Sequence, residues 1–458
     1  MWPGGSFPGD VNRRGAMVGP GALLRAAASL PAGALILIGG LYAPAAAQGL
    51  RCDDRVAVGC TEVARIAQAP AVVRAMRFIE QQNGIARSEL IALTQIPAPP
   101  FGEAARASAY AELLRAAGAD SVFIDSIGNV IAVRKGMGGT RSVALAGHLD
   151  TVFPEGTDVT VHERGDTLFA PGIGDDTRGL IVVLHALRAL DHAQIRTDAD
   201  LLFIGTVGEE GLGDLRGVKY LFRSDARRID AFIAVDGGSD GGITNEALGS
   251  RRYRVTFMGP GGHSWGAFGT GNPVHALSRA LFMFDTVAAR FTAEPGPRTS
   301  YSAGRIGGGT SVNSIPFEAW AEVDMRSQSQ VNLLGLDSIF RTTMQRALTE
   351  QNASIREGEP LTVSVDLVGD RPSGATAPGT PLLDRAVAVS LWSGVEPRLG
   401  SSSTDSNTPI SLGVPAITIG RGGIGGETHA PGEWWLDRDS YRAVQRAVLI
   451  LLAEAGFN

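Results

Sequence analysis

Apolar positions recur along the chain with two different periods. Apolar residues three and four positions apart predict helices, whereas short unbroken apolar runs predict strands that are buried on both faces. Helices are predicted over about residues 72–82, 102–117, 180–187 and 441–455, and strands over residues 121–124, 129–133, 143–146, 201–207, 231–235 and 416–419. This alternation predicts an open α/β sheet.

Three of these predicted strands end in residues that can carry chemistry. His148 and Asp150 follow the third predicted strand, Glu209 and Glu210 follow the fourth, and Asp236 follows the fifth. Open α/β sheets place their active sites at the carboxyl ends of their strands. We therefore expect these side chains to meet at one edge of the sheet.

The segment from about residue 251 to residue 367 breaks this rhythm. Its predicted elements are strands at residues 253–257, 319–324 and 361–367 and helices at residues 274–287 and 331–351. This βαββαβ-like order is typical of a compact α+β unit, and the first pattern resumes after it. The predicted organisation is a catalytic domain in two parts, residues 48–250 and 371–458, with an inserted domain at residues 251–370.

Residues 1–47 are interpreted as a signal peptide. Arg13, Arg14 and Arg25 precede an apolar run at residues 32–38, and residues 45–47 are three alanines that suit a cleavage site. An uncleaved membrane anchor is the alternative, but the run is shorter than the roughly 20 residues that span a bilayer. A periplasmic or secreted protein without a stable membrane anchor is therefore expected.

The two cysteines of the chain, Cys52 and Cys60, follow this segment closely. In an oxidising compartment a lone close pair favours a disulfide over a metal site. A pair of free buried thiols is the alternative.

The charge of the chain argues against nucleic acid as a partner. There are 41 basic and 47 acidic residues, so the formal net charge is -6. Proteins that bind nucleic acid usually present an excess of positive charge.

The polar motifs together predict a site for two metal ions. Two divalent cations close together need carboxylate and imidazole ligands, one bridging group, and a nearby carboxylate that stays free to move protons. Taken singly, the acidic pairs would be a helix cap and a solvated turn. The candidate residues are His148, Asp150, Asp175-Asp176 and Glu209-Glu210.

The order of six motifs resembles the zinc exopeptidase family that includes carboxypeptidase G, tripeptide aminopeptidase (peptidase T), acetylornithine deacetylase and the aminoacylases. The resemblance runs from about residue 85 to the end of the chain. It implies a mixed-sheet α/β catalytic domain with an inserted, ferredoxin-like α+β domain that acts as lid and dimerisation domain. The motifs are His148-x-Asp150, Gly174-Asp175-Asp176, Glu209-Glu210, residues 235–238 (Val-Asp-Gly-Gly), residues 262–264 (Gly-His-Ser) and residues 427–430 (Glu-Thr-His-Ala).

The resemblance implies two Zn²⁺ per subunit, with Co²⁺ or Mn²⁺ as alternatives. Asp175 would bridge the two ions, and the peptide bond that follows it would be cis. His148 and Asp236 would complete one metal site, whereas Glu210 and His429 would complete the other.

Two further residues would act beside the metals. Asp150 would lie behind His148, accept its other ring N–H and so fix its tautomer. Glu209 would remain unbound and act as general base. Because neighbouring residues on an extended segment point in opposite directions, different roles for Glu209 and Glu210 are expected.

Three residues of the inserted domain resemble substrate-binding positions. His263 would reach the active site of a neighbouring subunit and hydrogen-bond the developing oxyanion, which requires a homodimer. Asn313 and Arg326 would contact substrate, since the guanidinium of arginine suits a carboxylate. A turn asparagine and a surface arginine are the alternatives.

The sequence thus predicts an exported dizinc hydrolase with activity like that of an aminopeptidase or a dipeptidase. Its substrates would be small peptides or acylated amino acids. Asp236, where the family's deacylases tend to have Glu, favours substrates with a free amino group. The alternatives are an N-acyl-amino-acid deacylase or carboxypeptidase and, outside enzymes, a periplasmic binding protein on a degenerate hydrolase scaffold.

Overall fold

The computed structural model describes residues 57–457. The helices are α1 Ala57–Gln68, α2 Pro70–Gln81, α3 Asn83–Thr94, α4 Ala104–Ala116, α5 Thr177–His192, α6 Arg216–Leu221, α7 Pro273–Ala293, α8 Gln330–Ala353, α9 Pro381–Trp392, α10 Asn407–Ser411 and α11 Tyr441–Ala455. The strands are β1 Ser121–Ile124, β2 Val130–Arg134, β3 Ser142–His148, β4 His162–Arg164, β5 Thr167–Phe169, β6 Asp200–Thr206, β7 Ala231–Gly237, β8 Gly242–Ala247, β9 Gly249–Met258, β10 Gly262–His263, β11 Thr299–Gly308, β12 Ser314–Ile315, β13 Glu318–Ser327, β14 Thr362–Arg371, β15 Gly374–Ala375, β16 Arg398–Ser402, β17 Ala416–Gly420, β18 Ile424–Gly426 and β19 Trp434–Leu436.

The main sheet has the order β1-β2-β6-β3-β7-β17-β8-β15, and β16 pairs with β8. Its central strands β6, β3, β7 and β17 are parallel, whereas β2 runs antiparallel to β6 and β8 runs antiparallel to β17. Strands β3 and β6 are buried along their whole length because their residues are almost all apolar. The four parallel strands therefore bring their carboxyl ends to one edge.

Helices cover one face of the main sheet closely. Leu180, Val183, Leu184 and Leu187 of α5 are fully buried in the same hydrophobic cluster as Leu145 of β3. A second, smaller cluster of apolar side chains lies on the other face of the sheet. This packing fixes the strands that carry the polar motifs.

A second sheet has the order β11-β13-β9-β14, with all neighbours antiparallel. Helices α7 and α8 pack on it around a separate core that contains Tyr253, Phe284 and Phe340. In chain order these elements are β9, α7, β11, β13, α8 and β14, which is the predicted βαββαβ order. We call this part of the chain the lid unit, residues 249–371.

Several elements differ from the sequence-based prediction. The helix expected over residues 72–82 is α2, and a further helix, α3, follows it directly. The small antiparallel sheet β18-β19-β5-β4 was not expected, because each of its strands has only three residues. Periodicity does not identify strands as short as these.

The predicted signal peptide and Cys52 lie outside the described residues. Cys60 is not a free thiol. Across residues 57–457, no helix combines the length and the apolar character needed to cross a bilayer.

Candidate active site

The polar motifs meet at the carboxyl edge of the main sheet, as the strand order requires. His148 is the last residue of β3, Asp236 lies at the end of β7, and Glu209 and Glu210 follow β6. Asp175 precedes α5. These side chains come from four separate segments and converge because β6, β3 and β7 are neighbouring parallel strands.

One group of metal-type ligands contains His148, Asp175 and Asp236, whose ligand atoms all lie within 4.8 Å of one another. Nε2 of His148 is 3.2 Å from Oδ1 of Asp175 and 3.9 Å from Oδ1 of Asp236. Burial acts to lower the pKa of His148, but hydrogen bonds to Asp150 and Asp175 outweigh it and raise that pKa well above its usual value.

The second group contains Asp175, Glu210 and His429. Nε2 of His429 is 2.9 Å from Oε1 of Glu210 and 3.1 Å from Oδ2 of Asp175. These two contacts raise the pKa of His429 to about 10. Asp175 thus offers one carboxylate oxygen to each group, which is the arrangement that a bridging ligand needs.

His429 lies between β18 and β19 of the small antiparallel sheet. Its backbone φ is 67°, a left-handed conformation that is uncommon for a residue other than glycine. Held in this way, the side chain points across to Glu210, although the two residues are far apart in sequence.

Asp150 joins two of the strand ends. Its carboxylate accepts the backbone N–H groups of Glu209 and Glu210, at 3.0 and 2.8 Å. Nδ1 of His148 lies 3.0 Å from the backbone oxygen of Asp150 and 3.7 Å from its carboxylate Oδ1. The contact expected behind His148 therefore exists, but the nearest acceptor is the backbone oxygen, and the carboxylate mainly holds the Glu-Glu segment.

The loop before α5 is held from both sides. The Asp175–Asp176 peptide bond is cis, as expected. Asp176 caps α5 by accepting from the N–H of Gly179, and it also accepts from the N–H of His148 at 3.0 Å. A Cβ on Gly179 would lie 2.1 Å from the backbone oxygen of Val235, so the close approach of α5 to β7 requires glycine there.

Glu433 holds the same loop from the other direction. Its carboxylate accepts the N–H groups of Gly172, Gly174 and Asp175, at 2.8, 3.0 and 2.9 Å. Glu433 was not predicted as a site residue, because a single glutamate outside any motif gives no signal in the sequence. It positions the residue that the two ligand groups share.

The carboxylate of Glu209 accepts a hydrogen bond from an arginine of the lid unit. Nη1 of Arg371 lies 3.0 Å from Oε1 of Glu209, and both side chains are buried. Burial, with a contribution from neighbouring Glu210, raises the pKa of Glu209 to about 8, although Arg371 opposes the shift. Arg371 was not predicted as a site residue, because it is the last residue of β14 in the lid unit and lies 162 positions from Glu209 in the sequence.

Arg421 is the second arginine that sequence reasoning missed. Its Nη1 is 3.3 Å from Oδ1 of Asp175 and 3.6 Å from Oδ1 of Asp236. Burial raises the pKa of Asp236 well above its usual value, and Asp175 adds to the shift. Because Arg421 follows β17 directly, the rule that strand ends carry chemistry could have identified it.

The donor set fits a pair of zinc ions. Carboxylate oxygens and imidazole nitrogens are ordinary zinc ligands, and the two groups share Asp175. Burial raises the pKa of Asp236 well above its usual value, and the neighbouring carboxylates Asp175, Asp176 and Glu209 add to the shift. A cation held by Asp236, Asp175 and His148 would stabilise the charged form of Asp236.

A cavity of about 460 Å³ opens in front of both groups. Arg326 reaches it from β13 of the lid unit, together with Arg252 from β9. His263 and Asn313 are exposed on the lid unit, and neither lines this cavity. Those two lie beside each other, because the N–H of Ser264 donates to the backbone oxygen of Asn313 at 2.9 Å.

Comparison with known proteins gives a family and a fold. The sequence profile of peptidase family M20/M25/M40 matches residues 144–453. Carboxypeptidase G2 from Pseudomonas sp. (strain RS-16) is 26% identical over 307 residues, which are 65% of this chain and 70% of that protein. Succinyl-diaminopimelate desuccinylase from Corynebacterium glutamicum is 26% identical over 341 residues, which are 72% of this chain and 86% of that protein.

The fold is shared with the crystal structure of aminopeptidase PepT from Bacillus cereus. That structure aligns with a TM-score of 0.63 and 21% identity, and the alignment covers 80% of this chain and 97% of that chain. The predicted fold class and the resemblance on which it was based are both confirmed.

Proposed function

The chain belongs to peptidase family M20/M25/M40, and on this premise we propose that it is an exported dizinc aminopeptidase or dipeptidase of small peptides. It is a metallohydrolase of a family that acts on amide bonds of peptides or acylated amino acids. The observation that carries the proposal is that two groups of metal-type ligands share Asp175 in the cavity that also contains Glu209.

Different residues would bind the two zinc ions. His148 and Asp236 would hold one zinc ion, Glu210 and His429 the other, and Asp175 both. When bound, the ions supply Lewis acidity that lowers the pKa of a nucleophilic water.

Glu209 would take the proton of the water and deliver it to the leaving amine. Oε1 of Glu209 is held by Arg371, so Oε2 is the oxygen left to carry that proton. Arg326 lines the same cavity and would bind a carboxylate of the substrate through its guanidinium.

Two points support a free amino group on the substrate. The family resemblance implies that deacylases tend to have Glu at the position of Asp236, and the structure named aminopeptidase PepT shares the fold. The second candidate, a deacylase or carboxypeptidase, is supported by the relatives named carboxypeptidase G2 and succinyl-diaminopimelate desuccinylase.

One experiment distinguishes these activities. Zinc-loaded mature protein is incubated with dipeptides, tripeptides and N-acyl amino acids, and the products are identified by mass spectrometry. We expect each free dipeptide to exceed its N-acetylated partner in kcat/KM by at least about tenfold, or roughly 1.4 kcal/mol. A preference for the acetylated partner would favour the deacylase, and no hydrolysis of any amide would reject the proposal.

Export is supported by the arginines, apolar run and alanines of residues 1–47. The mature chain should then begin near Gln48 and contain a Cys52–Cys60 disulfide. N-terminal sequencing of protein purified from its native compartment tests the first point. Thiol titration under denaturing conditions tests the second, and two titratable thiols would exclude the disulfide.

A homodimer is supported by apolar side chains on the surface of the lid unit. Trp265 is 87% exposed, and Phe268, which follows it closely in sequence, is also exposed. Val312 is exposed as well and lies just before β12, the strand that pairs with β10. Large apolar side chains in water favour association. His263 lies in the same region, where a second subunit would bring it close to another active site.

A further inference from the structure

Two arginines of the lid unit are joined through one carboxylate at the wall of the active-site cavity. Arg252 on β9 and Arg326 on β13 both line the cavity. Nε of Arg252 is 3.0 Å from Oδ1 of Asp324, and Nε of Arg326 is 2.8 Å from Oδ2 of Asp324. The strands pair with Arg252 opposite Asp324, so this arrangement follows from the register of the sheet.

The charge of this arrangement is not balanced. Within residues 57–457, Asp324 is the one carboxylate within 4.0 Å of either guanidinium, so two positive charges face one negative charge. The other two arginines of the cavity, Arg371 and Arg421, are already paired with Glu209 and with the shared carboxylate Asp175. The excess positive charge therefore lies on the lid side of the cavity.

Both guanidinium groups keep donors for a ligand. In the described part of the chain, neither Nη of Arg326 has a hydrogen-bond partner. Arg252 uses Nη1 to donate to the backbone oxygen of Gly211 at 2.9 Å and keeps Nη2. The shared carboxylate fixes both side chains before a ligand arrives, which reduces the entropy lost on binding.

Arg252 is also tied to the ligand loop of the main sheet. Gly211, whose oxygen it contacts, directly follows Glu210. The side chain of Arg252 is 20% exposed, against 39% for Arg326, so Arg252 lies deeper between the two sheets. An anionic group at Arg252 would therefore lie near the metal-type ligands and beside the group bound by Arg326.

We propose that Arg252 selects substrates whose C-terminal residue carries a second carboxylate, that is, peptides or acylated amino acids ending in Asp or Glu. Arg326 would take one carboxylate of that residue through the parallel N–H donors of its two Nη groups, and Arg252 would take the other through Nη2. This inference rests on the proposed function and adds a specificity-determining residue to it.

The test compares Ala-Glu with Ala-Gln, which differ in one charged group. Wild-type protein should prefer Ala-Glu by at least about tenfold in kcat/KM, mainly through KM, because the site is built to bind that charge. In Arg252→Gln the ratio of the two kcat/KM values should fall to near one. Arg254→Gln is the matched control, since Arg254 lies on the same strand but pairs with Glu322 and does not line the cavity.

A wild-type protein without preference, or an Arg252→Gln variant that loses both activities equally, would overturn the inference. Titration calorimetry of both dipeptides into the zinc-loaded Glu209→Gln protein gives the same comparison without turnover. Failure of the proposed function appears differently, as hydrolysis of no amide at all. In that case the ratio of the dissociation constants of Ala-Glu and Ala-Gln still decides whether Arg252 binds the second carboxylate.

Discussion

Nη1 of Arg371 lies 3.0 Å from Oε1 of Glu209, and Nη2 of the same arginine donates to the backbone oxygen of Glu209. Arg371 is the last residue of β14, whereas Glu209 follows β6 of the main sheet. One side chain of the lid unit therefore holds both the carboxylate and the backbone of the proposed general base. Because both partners are buried, the contact is little screened by solvent.

Replacing Arg371 should change the pH dependence of the reaction. Burial already raises the pKa of Glu209 to about 8, and Arg371 opposes that shift. In Arg371→Gln the pKa should rise further. Since a general base acts only when deprotonated, the rise of kcat/KM with pH should move to higher pH.

A pH–rate profile measures this shift. Arg371→Lys keeps a cation and should show a smaller displacement, and Arg254→Gln should show none. Breaking a buried pair typically costs about 3–5 kcal/mol of stability, so folding of each variant is checked by thermal unfolding. If folded Arg371→Gln protein shows the same rise of kcat/KM with pH as the wild type, Arg371 does not control the pKa of Glu209.

Glu209→Gln should separate catalysis from metal binding. Glu209 belongs to neither of the two groups that share Asp175; it also lies within 4.8 Å of the ligand atoms of His148 and Glu210, but its Oε1 is already bound by Arg371, so zinc content should stay near that of the wild type. The rate should fall by about 10²–10⁴-fold, the usual contribution of general-base catalysis. Chelation should abolish wild-type activity, and added Zn²⁺ or Co²⁺ should restore it.

Elemental analysis and steady-state kinetics on the same preparations decide this point. Glu210→Gln is the matched control, because it removes a carboxylate that lies with Asp175 and His429 and should lower zinc content. A fully active Glu209→Gln protein would refute the assignment of the base.

Mixed dimers should reveal whether His263 acts in the neighbouring subunit. His263→Ala and Glu209→Gln proteins should each be nearly inactive. When the two chains are co-expressed, a heterodimer would combine one intact Glu209 with one intact His263 from the partner. Random pairing should then restore about a quarter of wild-type activity.

The oligomeric state is measured in parallel by light scattering. His275→Ala replaces an exposed histidine of the same unit and should be active alone. A monomer in solution, or no recovery in the mixture, would rule out action across subunits.

A half-buried ion pair away from the site should make stability depend on pH. The carboxylate of Glu89 accepts from Nε2 of His185 at 2.8 Å and from both Nη groups of Arg188 at 2.7 Å. Burial acts to raise the pKa of Glu89, but these partners outweigh it and lower the pKa to about 2. Compared with about 4.3 in an unfolded chain, this favours the folded state above that pH.

Glu89→Gln should therefore lower the free energy of unfolding by about 2 kcal/mol at pH 7. The difference from wild type should shrink as pH falls from about 4.5 toward 2, because the carboxylate then becomes protonated in both states. Urea unfolding at several pH values measures it, with Glu80→Gln, at an exposed position of α2, as control. A difference that is constant across this range would contradict the ion-pair explanation.

The sequence predicted those parts of the molecule that depend on local pattern. The buried runs at β3, β6 and β7 identified the central strands, and the polar residues that follow them identified where the chemistry lies. Parallel strands place their carboxyl ends together, so this step needed no three-dimensional information. The lid unit was predicted from its order of helices and strands.

What the sequence did not predict depends on contacts between distant segments. Arg371 meets Glu209 across 162 positions, and Glu433 meets Asp175 across 258. Arginine and glutamate are common on protein surfaces, and their burial here is visible only after the two sheets are assembled. His263 shows the opposite limit, since its proposed role depends on a second subunit.

The division between the two sheets has a consequence for protein engineering. The metal-type ligands come from the main sheet, its loops and the small antiparallel sheet, whereas Arg252 and Arg326 come from strands β9 and β13 of the lid unit. Strands β9 and β13 could therefore be replaced by those of a related protein to change the substrate specificity, while the metal-type ligands stay as they are. Such a graft would have to end before Arg371, because Arg371 is the last residue of β14 but contacts Glu209, the proposed general base on the main sheet.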